Sequence, residues 1–207
     1  VYTENKDDLA VVGDVTFSGN YSLTGGNTSN EGTAQGAVGG EFNLELESGS
    51  RSDQKVRFVG YEAFTLNGGA GNAGREAGYI NVIAEEGWNE EMESWVVPSV
   101  SSDVDMILQG GDGSAEGGGG GEIFFIGDSI SLQGTLDIRG GDADSALSGS
   151  LGGDAGMAMF EGMTDNLVID FDTVSILLDG GVGETSGEVG TVGVDYECVM
   201  GNCDAYY

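Results

Sequence analysis

Along this chain, short apolar runs alternate with pairs of glycines, and the order of events repeats. Phe17, Gly19, Tyr21 and Leu23 fall at every second position, as do Phe42, Leu44 and Leu46, and Leu132, Gly134, Leu136 and Ile138. A period of two is what a strand with one buried and one wet face requires. No segment carries a convincing helical period; the best candidate, residues 89–94, is short and acidic. Each β-rich run ends on a glycine pair, passes through a small polar loop, meets glycine again and returns to an apolar strand. The pairs are Gly25 and Gly26, Gly68 and Gly69, Gly110 and Gly111, Gly140 and Gly141, and Gly180 and Gly181. Their leading members lie 43, 42, 30 and 40 residues apart.

A period near 40 residues with one shortened unit predicts a solenoid whose loops vary in length. The reading is all-β: a right-handed parallel β-solenoid of about five coils, its handedness taken from the general rule for parallel crossovers. The glycine pairs are expected at corners, where stacked chain leaves little room for side chains and often demands φ > 0. The organisation that follows is an N-terminal arm over 1–12, a solenoid over 13–197 and a C-terminal tail over 198–207. Residues 85–100 read as an insertion or a loop crossing the end of a coil. They carry both tryptophans, Trp88 and Trp95, and the single proline, Pro98.

One stretch sharpens this. Glycines 117–121 run into Glu122-Ile123-Phe124-Phe125-Ile126, then Ile130-Ser131-Leu132-Gln133-Gly134-Thr135-Leu136-Asp137-Ile138-Arg139 and Gly140-Gly141-Asp142-Ala143. This resembles the glycine-rich repeats of bacterial surface β-helix proteins, adhesins and autotransporter passengers among them. The match is sharp over about 105–160 and looser over 9–83 and 167–196. The resemblance implies a secreted or surface-bound protein acting in adhesion or as a matrix component.

Composition changes the picture in two ways. Glycine supplies 40 of 207 residues, yet one proline and no three-residue period rule out collagen, and the apolar runs argue against disorder. The charge is extreme: 36 acidic against 6 basic residues and no histidine, a net charge of −30. Nucleic acid and anionic membrane surfaces are thereby excluded as direct partners, since both require a basic face. The acidity itself admits three explanations: solubility and repulsion on a secreted surface, neutralisation by divalent cations, or recognition of a basic partner.

The two cysteines, Cys198 and Cys203, flank a Gly-Asn turn and are expected to pair as a disulfide, in keeping with an oxidising compartment. No signal peptide or transmembrane run is present, and the opening at Val1 rather than Met suggests a mature form whose leader has been removed.

Candidate chemistry is sparse. Without histidine the commonest general base is missing, and the serines have no evident base partner. Three carboxylate pairs at i, i+2 spacing share a strand face: Asp103 with Asp105, Asp142 with Asp144, and Asp170 with Asp172. Their alternative role is an ordinary solvated surface. Gly110-Gly111-Asp112-Gly113 and Gly140-Gly141-Asp142-Ala143-Asp144 resemble calcium-binding turns of β-rolls. The nine-residue register is absent, so calcium is expected only as a surface or interfacial ion, and no cofactor otherwise.

The leading expectation is a non-enzymatic subunit of an extracellular filament, built from copies of itself because a short solenoid has two open ends. Val1, Tyr2, Tyr206 and Tyr207 are the candidate assembly residues. An adhesin or carbohydrate-binding module is the alternative, with Tyr61, Tyr79, Trp88 and Trp95 as stacking candidates. A polysaccharide-degrading enzyme is the third.

Overall fold

The computed structural model describes residues 2–3, 15–29, 31–47, 55–60, 63–85, 87–89, 93–96, 98–127, 129–162 and 168–196. Among these there is no helix; every regular element is a strand. After β1 (Tyr2–Thr3) come β2 (Val15–Ser18), β3 (Tyr21–Ser22) and β4 (Glu41–Glu47). Next are β5 (Lys55–Val59), β6 (Phe64–Thr65), β7 (Gly71–Ala73) and β8 (Tyr79–Glu85), then β9 (Gly87–Asn89) and β10 (Ser94–Val96). β11 (Ser99–Ser102), β12 (Met106–Ile107), β13 (Gly113–Glu116) and β14 (Glu122–Ile126) follow. β15 (Ser129–Asp137) leads to β16 (Met157–Gly162), and β17 (Val168–Leu177) to β18 (Thr191–Tyr196).

The strands join into parallel sheets that the chain visits in a fixed order. One sheet runs β1-β4-β8-β14-β16-β18. A second pairs β2, β5, β11, β15 and β17 along their leading residues, while β3, β6 and β12 line up with the trailing half of β15. Between them lies a narrow third ladder: β7 beside β13, extended by single parallel bridges from Gln35 to Ala73, Glu116 to Leu151 and Leu151 to Thr185. The one antiparallel pair among the described residues is the β9–β10 hairpin, which occupies the middle of residues 85–100. Ser99 and Val100 already belong to the second sheet through β11. The short 30-residue spacing also has its cause here, since only Gly127 and Asp128 separate β14 from β15.

Parallel pairing in register stacks like on like. Val15, Val56, Val100, Ile130 and Ile169 form one column, and Leu44, Val82, Phe125, Phe160 and Val194 another. The middle members of both are fully buried. Aromatic contact runs the length of the core: Phe17 stacks on Phe58 at 5.2 Å, Phe58 on Phe125 at 6.3 Å, and Phe160 meets Phe125 at 6.0 Å and Phe171 at 5.0 Å. Truncating one of the fully buried rings to alanine removes apolar area and leaves a cavity, at a cost of about 3–5 kcal/mol.

The glycine pairs lie in register as well. Gly25 N–H donates to Asn67 O, Gly68 to Gln109, Gly110 to Arg139 and Gly140 to Asp179, at 2.8–3.1 Å. Of the two reasons expected for glycine, lack of room for a side chain holds at every paired glycine but Gly26, whereas a positive φ does not. None of the ten paired glycines has one. Instead, the backbone of each pair lies directly against the backbone of the segment returning toward the first sheet. Ala37 donates to Gly26 O, Gly69 to Ala37, Arg75 to Gly69, Gly111 to Arg75 and Gly118 to Gly111. Gly141 then donates to Gly118, Gly153 to Gly141, Gly181 to Gly153 and Gly187 to Gly181, all at 2.7–3.1 Å. A Cβ on Gly111, Gly141 or Gly181 would overlap the carbonyl oxygen of Gly69, Gly111 or Gly141, respectively. Positive φ occurs at a different bend, between the leading and trailing parts of the second sheet, at Gly19 (φ 114°) and Gly134 (φ 89°).

This separates glycines that look alike in the sequence. Gly141→Ala should lower the unfolding free energy by roughly 3 kcal/mol or more, because the obstructing atoms are backbone and cannot rotate away. At Gly26 an added Cβ meets nothing within 4 Å, so Gly26→Ala should change stability by less than about 1 kcal/mol. Urea titration of the two variants beside the parent checks the contrast.

Candidate functional site

Asp103, Asp105, Asp142 and Asp144 fall in irregular segments between strands, where backbone N–H groups need acceptors, while Asp170 and Asp172 lie within β17. Asp103 Oδ1 accepts from Gly60 N at 3.2 Å, and Asp105 Oδ1 accepts from Thr135 N at 2.7 Å. The two side chains thus bind in opposite directions along the stack, one to the strand set before and one to the set after. Asp142 Oδ1 accepts from Val182 N at 2.8 Å, whereas Asp144 Oδ1 closes its own turn onto Ala146 N at 3.0 Å. Asp170 stands in register with Ser131, and the ladder shifts by a bulge before Thr173, so Asp172 has no partner in the regular register.

The same device recurs beyond the pairs singled out from spacing. Asn27 caps Ala70 N, Asn67 caps Gln109 N, Asp112 caps Asp142 N and Asp154 caps Glu188 N, each at 2.8–2.9 Å. A short polar side chain on one pass holds the backbone of the next. Asp112, Asp142 and Asp144 also line a surface hollow of about 340 Å³. Among the described residues, however, no three acidic or thiol side chains converge where a metal ion could sit.

A second polar cluster is built on β15. Asp137 is buried, and its carboxylate accepts from Gln109 Nε2 at 2.6 Å and from Arg139 Nε and Nη2 at 2.9 and 2.8 Å. The hydrogen bonds to Asp137 raise the Arg139 pKa above its ordinary value; burial opposes the shift, and the charges of Asp137, Asp179 and Asp142 add to it. With the folded value above the unfolded one, the stability this contributes is present through the neutral range and lost only at strongly alkaline pH.

The outer face of the first sheet is the other place where functional groups gather. Burial alternates along β8 and β14, which turns Tyr79, Asn81 and Ile83, and Glu122, Phe124 and Ile126, away from the core. Register brings Asn43, Asn81, Phe124 and Met159 into one column, and Glu41, Tyr79, Glu122 and Met157 into the next. The Tyr79 hydroxyl accepts from Asn43 Nδ2 at 3.1 Å and donates to Glu41 Oε2 at 2.9 Å, which fixes its ring. A groove of about 310 Å³ opens here, lined by Asn43, Tyr79, Asn81, Glu122, Phe124 and Met157 among others. It adjoins a longer acidic trough of about 740 Å³ that includes Glu76, Asp154 and Glu188.

Of the aromatic candidates, Tyr79 therefore lies on this outer face, and Trp88 and Trp95 pair in register across the β9–β10 hairpin. Tyr61 lies outside the described residues. Tyr2 lies in β1, paired in parallel with Glu45 of β4 in its own chain. Val1, Tyr206, Tyr207, Cys198 and Cys203 lie outside the described residues. Asn81, Phe124 and Met157 were not picked out by spacing. The available signal was Ile123-Phe124-Phe125-Ile126, four consecutive apolar residues where a one-sided strand needs only two. No protein-family model, curated protein or solved structure matches the chain.

The capping role has a direct consequence. Asp105→Asn and Asp142→Asn keep an acceptor oxygen and should leave stability within about 0.5 kcal/mol of the parent, while Asp105→Ala and Asp142→Ala should each cost about 1 kcal/mol. Thermal or urea denaturation of the four variants separates the two outcomes.

Proposed function

We propose that the chain winds as a right-handed parallel β-solenoid of five coils, and that it is a structural subunit stacking end to end into an extracellular filament, sheath or matrix. The observation that carries this reading is where apolar side chains are left uncovered. Val192 and Val194 on β18 are 39 % and 52 % exposed, although their register partners Ile123 and Ala158, and Phe125 and Phe160, are buried. At the other end Leu23 is 47 % exposed. Its column continues through Leu66, Leu108 and Ile138, which are fully buried. Phe17, Tyr21 and Phe42 are likewise only partly covered. Apolar columns thus run bare at one end or the other of the stack, where another copy can continue them, and head-to-tail continuation gives an open filament.

At the first end, β1 pairs among the described residues with Glu45 and Leu46 of β4. The carboxylates support a structural rather than a catalytic role, since Asp103, Asp105 and Asp142 hold backbone groups of adjacent passes.

The net charge of −30 opposes self-association. Stacking therefore requires screening, and the range of charge repulsion falls from about 10 Å at 0.1 M salt to about 3 Å at 1 M. Sedimentation and negative-stain microscopy should show monomers at low ionic strength and lengthening rods in about 1 M salt or with added calcium. Val194→Asp and Leu23→Asp, which alter opposite ends, should each block growth while keeping the β circular-dichroism spectrum. Strictly monomeric particles in every salt and calcium condition would sink the idea.

A further inference from the structure

We propose that the groove on the outer face of the first sheet, centred on Asn81, is a binding site for an uncharged oligosaccharide. Asn81 Oδ1 is buried and accepts no hydrogen bond. Its neighbours in register explain why: the amide of Asn43 donates to the Tyr79 hydroxyl on one side, and Phe124 on the other has no donor to offer. A buried acceptor left without a donor is destabilising, and replacing it by an apolar group of similar shape is nearly neutral or stabilising. A sequence built for stability alone would place an aliphatic residue there. Asn81 instead presents an acceptor in a concave site, and a donor arriving from outside would satisfy it.

The rest of the groove states what that donor belongs to. The Tyr79 ring is held by two hydrogen bonds through its hydroxyl, and Phe124 and Met157 add apolar surface beside it. Together they offer a preorganised platform for the C–H face of a sugar ring. Glu122 and Asn43 at the margins add further acceptors for hydroxyl groups. Among the described residues no Lys or Arg lines the groove, and the chain carries a net charge of −30, so an anionic ligand is disfavoured. A purely aliphatic ligand would leave Asn81 unpaired. A basic peptide would be drawn to the carboxylates of the neighbouring trough, Glu76, Asp154 and Glu188, rather than to a neutral amide between aromatic and thioether side chains. A molecule with hydroxyl donors along its edge and an apolar face satisfies all of these demands together. The volume of about 310 Å³ is at the lower end for ligand sites, which suits one or two sugar rings of a longer chain lying across an open face.

The site lies on the outer side face of the first sheet, and its test reads sugar binding rather than rod growth, so its failure would leave the filament reading standing. Isothermal titration calorimetry of the full chain with cellopentaose, xylopentaose and mannopentaose should give saturable binding of at least one of them. Asn81→Leu should weaken that binding tenfold or more while leaving the thermal midpoint unchanged or raised, a combination that a merely structural role for Asn81 would not produce. Phe124→Ala, which removes the platform, should weaken binding to a similar extent. Three results would overturn the proposal: no saturable heat with any of the three, equal affinity of the Asn81→Leu variant, or saturable binding of pentalysine with none of the oligosaccharides bound.

Discussion

The fold depends on backbone meeting backbone across its interior. At each glycine pair the chain lies against its own returning segment with no side chain between. The hydrogen bonds from Ala37 to Gly187 run as a zigzag that links every pass to the next. Each such bond adds only about 1 kcal/mol net, but a buried N–H or C=O left unpaired costs more than the bond contributes. The arrangement is therefore all or nothing, and it explains the composition. Glycine loses more conformational freedom on ordering than any other residue, and the chain bears that loss because at most of the paired positions a Cβ would overlap the facing backbone. The apolar core then has to occupy the other part of the cross-section, where the two sheets face each other and phenylalanine, valine and leucine columns fill the space.

Much of this was legible in the sequence, and the limits of legibility are physical. Strand β4 and the leading part of β15 follow from alternation, because their inward residues are apolar and their outward ones polar. The recurrence of Gly-Gly located the stacked segments to the residue, and the structure sets all five pairs in register. Of the two demands expected at the glycine pairs, crowding is met and positive φ is not, since a sequence does not distinguish the one from the other. Those demands fall on different glycines here: Gly19 and Gly134 have unusual dihedrals, while Gly111 and Gly141 have ordinary dihedrals and no space. Residues 89–94 carried no usable period, and β9 and β10 pair by local antiparallel contacts that a search for a 40-residue repeat overlooks.

Side-chain roles were harder to read than positions. Spacing placed Asp103 and Asp105 on one face, yet they serve opposite neighbours, a fact that depends on which passes lie above and below. The outer groove was invisible for a related reason. Asn43, Asn81, Phe124 and Met157 are separated by 33 or more residues from one to the next and become neighbours only through register. Parallel stacking converts equivalent positions in distant repeats into a continuous surface, so a site on such a protein is a column rather than a motif.

The glycine zigzag has one more consequence. A ladder made only of backbone atoms is the same at every layer, so it contains no information about which pass belongs beside which. A segment around Gly110 would pair as well with the one around Gly180 as with the one around Gly140. Correct order must come from elements that differ between layers: the unequal loops, the Asx caps with their particular partners, and the changing aromatic contacts from Phe17 to Phe171. In this protein the most repetitive part gives cohesion, and the irregular parts act as the address labels that keep the chain from folding into a misordered stack.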